Sequence, residues 1–190
     1  MNIHAPTTLT PAEAALVDGF AQRVSELAGD AGVAMNRDNA IEAIKTGLPT
    51  RRVEAWHYTD LRRLLNTVPS FDPAAKPVAL KPLLEGSTVL AVSNGIGGAT
   101  ANVDGVEIAR FQDLLVAGDS RAVLAPTDTA DAVAAINAAF VSDGFALAVA
   151  ADADVATPIE LQNLQAGGQV HARFPVTVGA NARVTLVERQ

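Results

Sequence analysis

"FALAVAADADVATPIELQN" (145–163) and "RFPVTVGANARVTLVE" (173–188) decide what kind of protein this chain builds. They hold four short β-rich runs, FALAVAA, TPIELQN, RFPVTVG and ARVTLVE, parted by small turn residues. Runs of Val, Ile, Leu and Thr with alternating polar positions read as short strands. Regular short strands fit a β-sandwich or a β-solenoid, and with no repeat signature evident, periodicity leaves both open. The sequence stops at VTLVERQ with its last strand just formed. A solenoid cut there keeps its earlier coils, because each coil touches only its neighbours, whereas a sandwich loses a partner sheet. The expectation over 145–190 is therefore the opening of a solenoid.

Upstream the texture is helical. Thr10 is placed as an N-cap, Pro11 suits the first helical position and Glu13 completes a capping box. Leu16, Phe20, Val24 and Leu27 then share one face. A second helix is expected over RDNAIEAIKT (37–46), ended by Gly47 and Pro49, and a short third over DLRRLL, capped near Thr59 and Asp60. Pro69, Pro73, Pro77 and Pro82 mark an extended linker. STVLAVSNG (87–95) reads as a strand closed by an Asn-Gly turn. ANVDGVEIARFQDLLVAG follows as turn, short strand and short helix. TADAVAAINAAFVSDG is a helix with Val133, Ile136 and Phe140 inward, stopped near Gly144. The expected layout is a helical region at 1–68, a Pro-rich linker at 69–86, a small mixed α/β segment at 87–144 and the solenoid start at 145–190.

Composition narrows the function classes. A net charge of −7 repels phosphate backbones, which argues against nucleic-acid binding. The absence of Cys removes disulfides, thiolate metal sites, cysteine nucleophiles and thiolate-held iron–sulfur clusters. No run approaches the 18 or so apolar residues of a membrane span, and the N-terminus lacks the pattern of a signal peptide. A cytoplasmic protein with no membrane contact is the expectation.

Motifs for chemistry are sparse. GIGG (95–98) lacks nucleotide-loop spacing and reads as a turn. Asp152 and Asp154 alternate, yet in an acidic chain they read as a solvated turn rather than an acid–base pair. His4 falls in the terminal segment, and His171 has no neighbour at ligand spacing, which suggests a surface or edge position. Nothing around Ser93, Ser120 or Ser142 resembles a nucleophile elbow. No catalytic, cofactor-binding or metal-ligating residue is assigned.

GLPTRRVEAWHYTDL (47–61) is different. In a chain with 4% aromatics it gathers the only Trp, the only Tyr and two arginines. Trp56 and Tyr58 could plug a helix junction, with Glu54 paired to Arg51 or Arg52; the same residue types also dominate protein interfaces. Packing is the preferred reading, docking the second, catalysis a distant third. A substantially buried Trp56 is the corresponding expectation.

This stretch resembles the N-terminal signature of the SufD family of iron–sulfur assembly scaffold proteins. The matching positions are Gly47, Pro49, Arg51, Arg52, Glu54, Trp56, Tyr58 and Thr59. Asn94-Gly95, INAAFVSDG (136–144), TPIELQN and VTVGANARVTLVE agree in order, so the likeness runs from about residue 36 onward. The resemblance implies an α+β chain: an N-terminal helical region, a small βα segment and the first coils of a right-handed parallel β-helix, here truncated. It implies a non-catalytic scaffold acting with SufB and the ATPase SufC in the SUF system. That complex handles an Fe–S cluster, ATP through SufC and reduced FAD, with no cofactor expected in this segment. The C-terminal coils and helices that meet those partners would lie beyond Gln190. The isolated chain is expected to form a homodimer through an open edge at 174–190. The alternatives are a β-solenoid polysaccharide-active enzyme, for which 145–190 shows no carboxylate cluster, and a stand-alone solenoid module.

Overall fold

The computed structural model describes residues 8–122, 124 and 131–190. His4 and the start of the 129–144 helix segment lie outside the described residues. Helix α1 (Pro11–Arg23) begins as its sequence dictates. Glu13 N–H donates to the Thr10 hydroxyl at 3.3 Å, and Glu13 Oε2 accepts from Thr10 N–H at 2.7 Å. A 3-10 turn (Val24–Glu26) follows it directly. Helix α2 (Ala31–Lys45) starts well before Arg37, because Asp30 accepts from Val33 N–H at 2.8 Å and caps it. The AGDAG stretch thus follows the end of one helix at Arg23 and its 3-10 turn at Glu26, and its Asp30 starts the next. Short helix α3 (Leu61–Leu64) is capped by Asp60, one residue after Thr59.

Helices α4 (Phe111–Ala117) and α5 (Ala132–Phe140) complete the helical layer. Leu16, Phe20, Ile41 and Ile44 pack with Phe111, Leu115, Ala138 and Phe140 in one core, and Phe20 meets Phe140 edge-on at 6.0 Å. Of the face read from the sequence, Phe140 and Ile136 pack into the core and only Val133 departs. Ala135, Ala138, Ala139 and Phe140 are buried while Val133 is 56% exposed. Small side chains let α5 lie close against α2, so the buried stripe is alanine rather than the larger β-branched residue. The helix ends at Phe140, and Gly144 belongs to the strand that follows.

The strands form two mixed sheets, giving an α+β chain in which helices precede sheet. In the first sheet the order is β2 (Ile96–Gly97), β1 (Thr88–Ser93), β5 (Ile159–Leu164), β8 (Leu186–Arg189). β1 and β2 form a hairpin across Asn94-Gly95, both with positive φ (49° and 79°), the two-residue turn that favours this dipeptide. β1 runs parallel to β5, and β5 parallel to β8. In the second sheet β4 (Asp143–Val149) lies between antiparallel β3 (Val106–Arg110) and parallel β7 (Val176–Val178), with β6 (Ala172–Arg173) beside its start.

After β4 the chain alternates between the sheets: β5 in the first, β6 and β7 in the second, β8 in the first. The corners stack as well. Leu147 pairs with Val176 and Asp154 bridges Arg183, the same 29-residue interval that separates Asp152 from Asn181. Asp152 and Asn181 share left-handed backbone (φ 60° and 59°), and Asn181 Nδ2 donates to Asp152 Oδ1 at 3.0 Å. The sequence holds this repeat after all, as AADADV (150–155) over GANARV (179–184). Between the sheets lie Leu90, Val92, Ile159 and Leu161 against Phe145 and Leu147, with Phe174 stacked 6.4 Å from Phe145. β7 and β8 are edge strands, and Val176, Val178 and Leu186 are exposed there.

Residues 66–86 form no helix or strand, as their prolines require, but they are docked as a strap across β1 and β5. Ile159 and Leu161 turn inward, so alternation sends Glu160 and Gln162 to the opposite face, where both are fully buried. Gln162 accepts from Leu80 N–H at 2.8 Å and donates to Leu80 C=O at 3.0 Å, while Glu160 accepts from Leu83 N–H at 2.6 Å. These side chains do for the strap what a neighbouring strand would do. Burial alone would raise the Glu160 pKa. The Leu83 N–H, the Gln162 amide and the nearby Arg189 guanidinium outweigh it and hold the carboxyl below its usual range.

A candidate docking surface

The signature stretch has a braced base and an open tip. Glu13, fully buried, accepts from Leu48 N–H at 2.7 Å and pairs with Arg62 Nε at 3.1 Å. Arg62 also donates to Thr8 C=O at 2.5 Å, and its N–H reaches Pro49 C=O at 3.2 Å. Leu48 is buried, Leu61 and Leu65 pack on the helical core, and Gly47 turns the chain at φ 102°. Between these anchors the backbone is a run of tight turns. Val53 N–H bonds Thr50 C=O, Trp56 N–H bonds Val53 C=O, and Thr59 N–H bonds Trp56 C=O at 2.8 Å.

The tip contradicts the packing expectation. Tyr58 is 86% exposed, Trp56 is only partly buried, and Arg51, Arg52, Glu54 and Thr59 are exposed. Glu54 makes no ion pair with Arg51 or Arg52; instead His57 Nδ1 lies 2.9 Å from Glu54 C=O, and the His57 and Tyr58 rings touch at 3.6 Å. The helical core is filled instead by Leu16, Phe20, Phe111 and Phe140, with Leu48 the buried side chain of this stretch. Arg51, Tyr58 and Thr59 come together with Asp60, Arg63 and Leu64 around a shallow hollow of about 320 Å³. Gly47 and Pro49 face a separate hollow of about 180 Å³, and Arg52 and Glu54 belong to neither. Glu13 and Arg62 escaped the sequence reading because Glu13 was already spent on the capping box. From 51 to 63 the surface carries Arg51, Arg52 and Arg63 against Glu54 and Asp60, with Arg62 spent on Glu13, a mildly basic patch on an acidic chain.

Other charged clusters are committed to structure. Asp143, 2% exposed, accepts from Gly97, Gln112 and Gly144 N–H groups at 2.8–3.0 Å and pairs with Arg110. Asp152 and Asp154 are exposed at their corner. Among the described residues no three His, Asp or Glu side chains gather as metal ligands, and no helix is long and apolar enough to cross a membrane.

His171 directly precedes β6 at the end of its sheet path, in keeping with an edge position, but its ring is not free at the surface. It is partly buried, stacks on Phe140 at 5.6 Å and has Nε2 at 3.0 Å from the Gln169 amide nitrogen, an arrangement that needs Nε2 unprotonated. Burial, then the charge of Arg23, pushes its pKa down to about 4. The folded state thus stays neutral where the unfolded chain, titrating near 6.5, takes up a proton. Between pH 6.5 and 4 stability is expected to fall as pH falls, with His171 accounting for on the order of 3 kcal/mol. Urea midpoints across that range check it: His171→Gln should flatten the slope, and an unchanged slope would refute the assignment.

No protein-family model matches the chain, and no curated protein matches it.

Proposed function

We propose that this chain is a non-catalytic scaffold module of the SufB/SufD type, working in the cytoplasm with SufB-like and SufC-like partners in iron–sulfur cluster assembly. One observation carries the reading: the signature stretch is clamped at Glu13 and Arg62 while Tyr58, Arg51 and Arg63 are held out to solvent. Rigid presentation of an aromatic among arginines suits contact with another protein, since little freedom is left to lose on docking. The parallel pairs β4–β7 and β5–β8 with their stacked corners support β4 to β8 as the first coils of a right-handed parallel β-helix. On this reading the Fe–S cluster is cargo of the assembled complex, ATP belongs to SufC, and reduced FAD is handled by the complex rather than by this segment. The open β7/β8 edge supports the homodimer of the isolated chain.

Sedimentation of the chain with and without a SufB–SufC preparation tests both contacts. The expected result is a stable complex that Tyr58→Ala with Arg51→Glu weakens by about ten-fold or more, typical of an interface hot spot, with circular dichroism unchanged. No complex with the unaltered chain would refute the scaffold reading. A complex indifferent to the double variant would move the contact away from this tip.

A further inference from the structure

We propose that the cleft between α1 and the strap binds a small organic monocarboxylate, received by Arg23. The cleft encloses about 430 Å³. Arg23 closes the last turn of α1, and its guanidinium lies 4.0 Å over the Phe71 ring. That stacking uses one face of the guanidinium and leaves its hydrogen-bonding edge unspent. Among the described residues the Arg23 side chain has no hydrogen-bond acceptor and no ion-pair partner, and its Nε is shut away from solvent. With Nε closed off, the paired Nη groups are what Arg23 offers to the cleft, and their N–H bonds match the two oxygens of a carboxylate.

The surroundings select the ligand class. Arg37, which does not line the cleft, lies close enough to Arg23 to add positive charge behind it. Asp18 and Glu26 stand on the α1 side of the cleft, and Glu26 partly offsets the Arg23 charge without touching it. A multiply charged phosphate meets these carboxylates as repulsion, whereas a single negative charge is tolerated. Ala15, Val68, Pro69 and Pro73 give the remaining wall an apolar character, and Gln169 adds a polar group near the floor. The fitting guest has one carboxylate and an aromatic or aliphatic body. This inference stands apart from the scaffold reading and does not depend on it.

Benzoate is a suitable probe. Titrated into ¹⁵N-labelled protein, it should produce saturable shifts at the Arg23 Nε–H and the Gln169 amide, with neutral benzamide and inorganic phosphate giving none. Arg23→Gln should abolish saturation while the rest of the spectrum stays in place, and Arg23→Lys should weaken it by about ten-fold because an ammonium lacks the fork. Absence of saturable shifts, an equal response to benzamide, tighter binding of phosphate, or a benzoate response that survives Arg23→Gln would each overturn the assignment.

Discussion

Replacing Arg37 with methionine is expected to lower unfolding free energy by about 4 kcal/mol, the range seen when a buried charged hydrogen-bonding group is removed from its partners. Arg37 projects from α2 and is 2% exposed. Its Nη1 donates to Ala139 C=O at 3.0 Å and Ala138 C=O at 3.4 Å, and its Nη2 to Val141 C=O at 2.8 Å and Ala28 C=O at 2.9 Å. Three of these carbonyls end α5, where backbone acceptors lack helical partners and the helix dipole is negative. The guanidinium is therefore the C-terminal cap of one helix supplied by another.

Among the described residues no carboxylate pairs with it. Burial, reinforced by Arg173 and Arg23, pushes its pKa down to about 10, which still leaves it charged at neutral pH. Methionine keeps the stem and most of the volume but leaves the carbonyls unsatisfied. Relief of repulsion among the arginines works in the opposite direction and keeps the loss below the sum of the individual bonds. Arg37→Lys should recover only part of it, since one ammonium cannot span acceptors on both sides. Urea unfolding followed by circular dichroism reads the difference. A methionine variant within about 1 kcal/mol of the parent would show that the cap is dispensable.

What could be read in advance follows the range of each interaction. Thr10 with Glu13 and Asn94 with Gly95 act over a few residues, so the start of α1 and the β1–β2 turn were legible. The strap was half legible. Four prolines announce an extended chain, but its docking rests on Glu160 and Gln162, far along the sequence. The coil repeat hid for another reason. AADADV and GANARV share only small and polar residues, and the stretch from Val155 to Ile159 is longer than its counterpart from Val184 to Leu186, which breaks the period. Trp56 and Tyr58 misled because scarce aromatics suggest a core, whereas the aromatics of this core are Phe20, Phe111 and Phe140, and Leu48 is the residue that the stretch buries. The signature stretch itself was visible, but the direction its side chains face depends on Glu13 and Arg62, a tertiary pairing.

Gly144→Ala is expected to be strongly destabilising. Gly144 lies in β4 opposite Arg173 of β6, with φ 156°. A Cβ there would sit 1.7 Å from the Arg173 carbonyl oxygen, 2.7 Å from its carbon and 3.0 Å from its nitrogen. All three are backbone atoms, so no rotamer change makes room; β4 or β6 has to move. The adjacent Asp143 resists that movement, because its carboxylate ties β2 through Gly97 N–H, α4 through Gln112 N–H, and Arg110 at the end of β3. Shifting β4 enough to clear the overlap breaks this buried set together with the β4–β6 pairing. The variant should therefore lose about 4 kcal/mol or more, or fail to fold, the level reserved for a forced backbone clash or a broken buried network. Gly19→Ala is the internal contrast. In α1 a Cβ at Gly19 meets nothing within 4 Å, and adding it to a helix should stabilise by roughly 0.5–1 kcal/mol. Paired thermal melts of the two variants decide the matter: if Gly144→Ala melts with the parent, the close approach of β4 to β6 is not a feature of the folded chain.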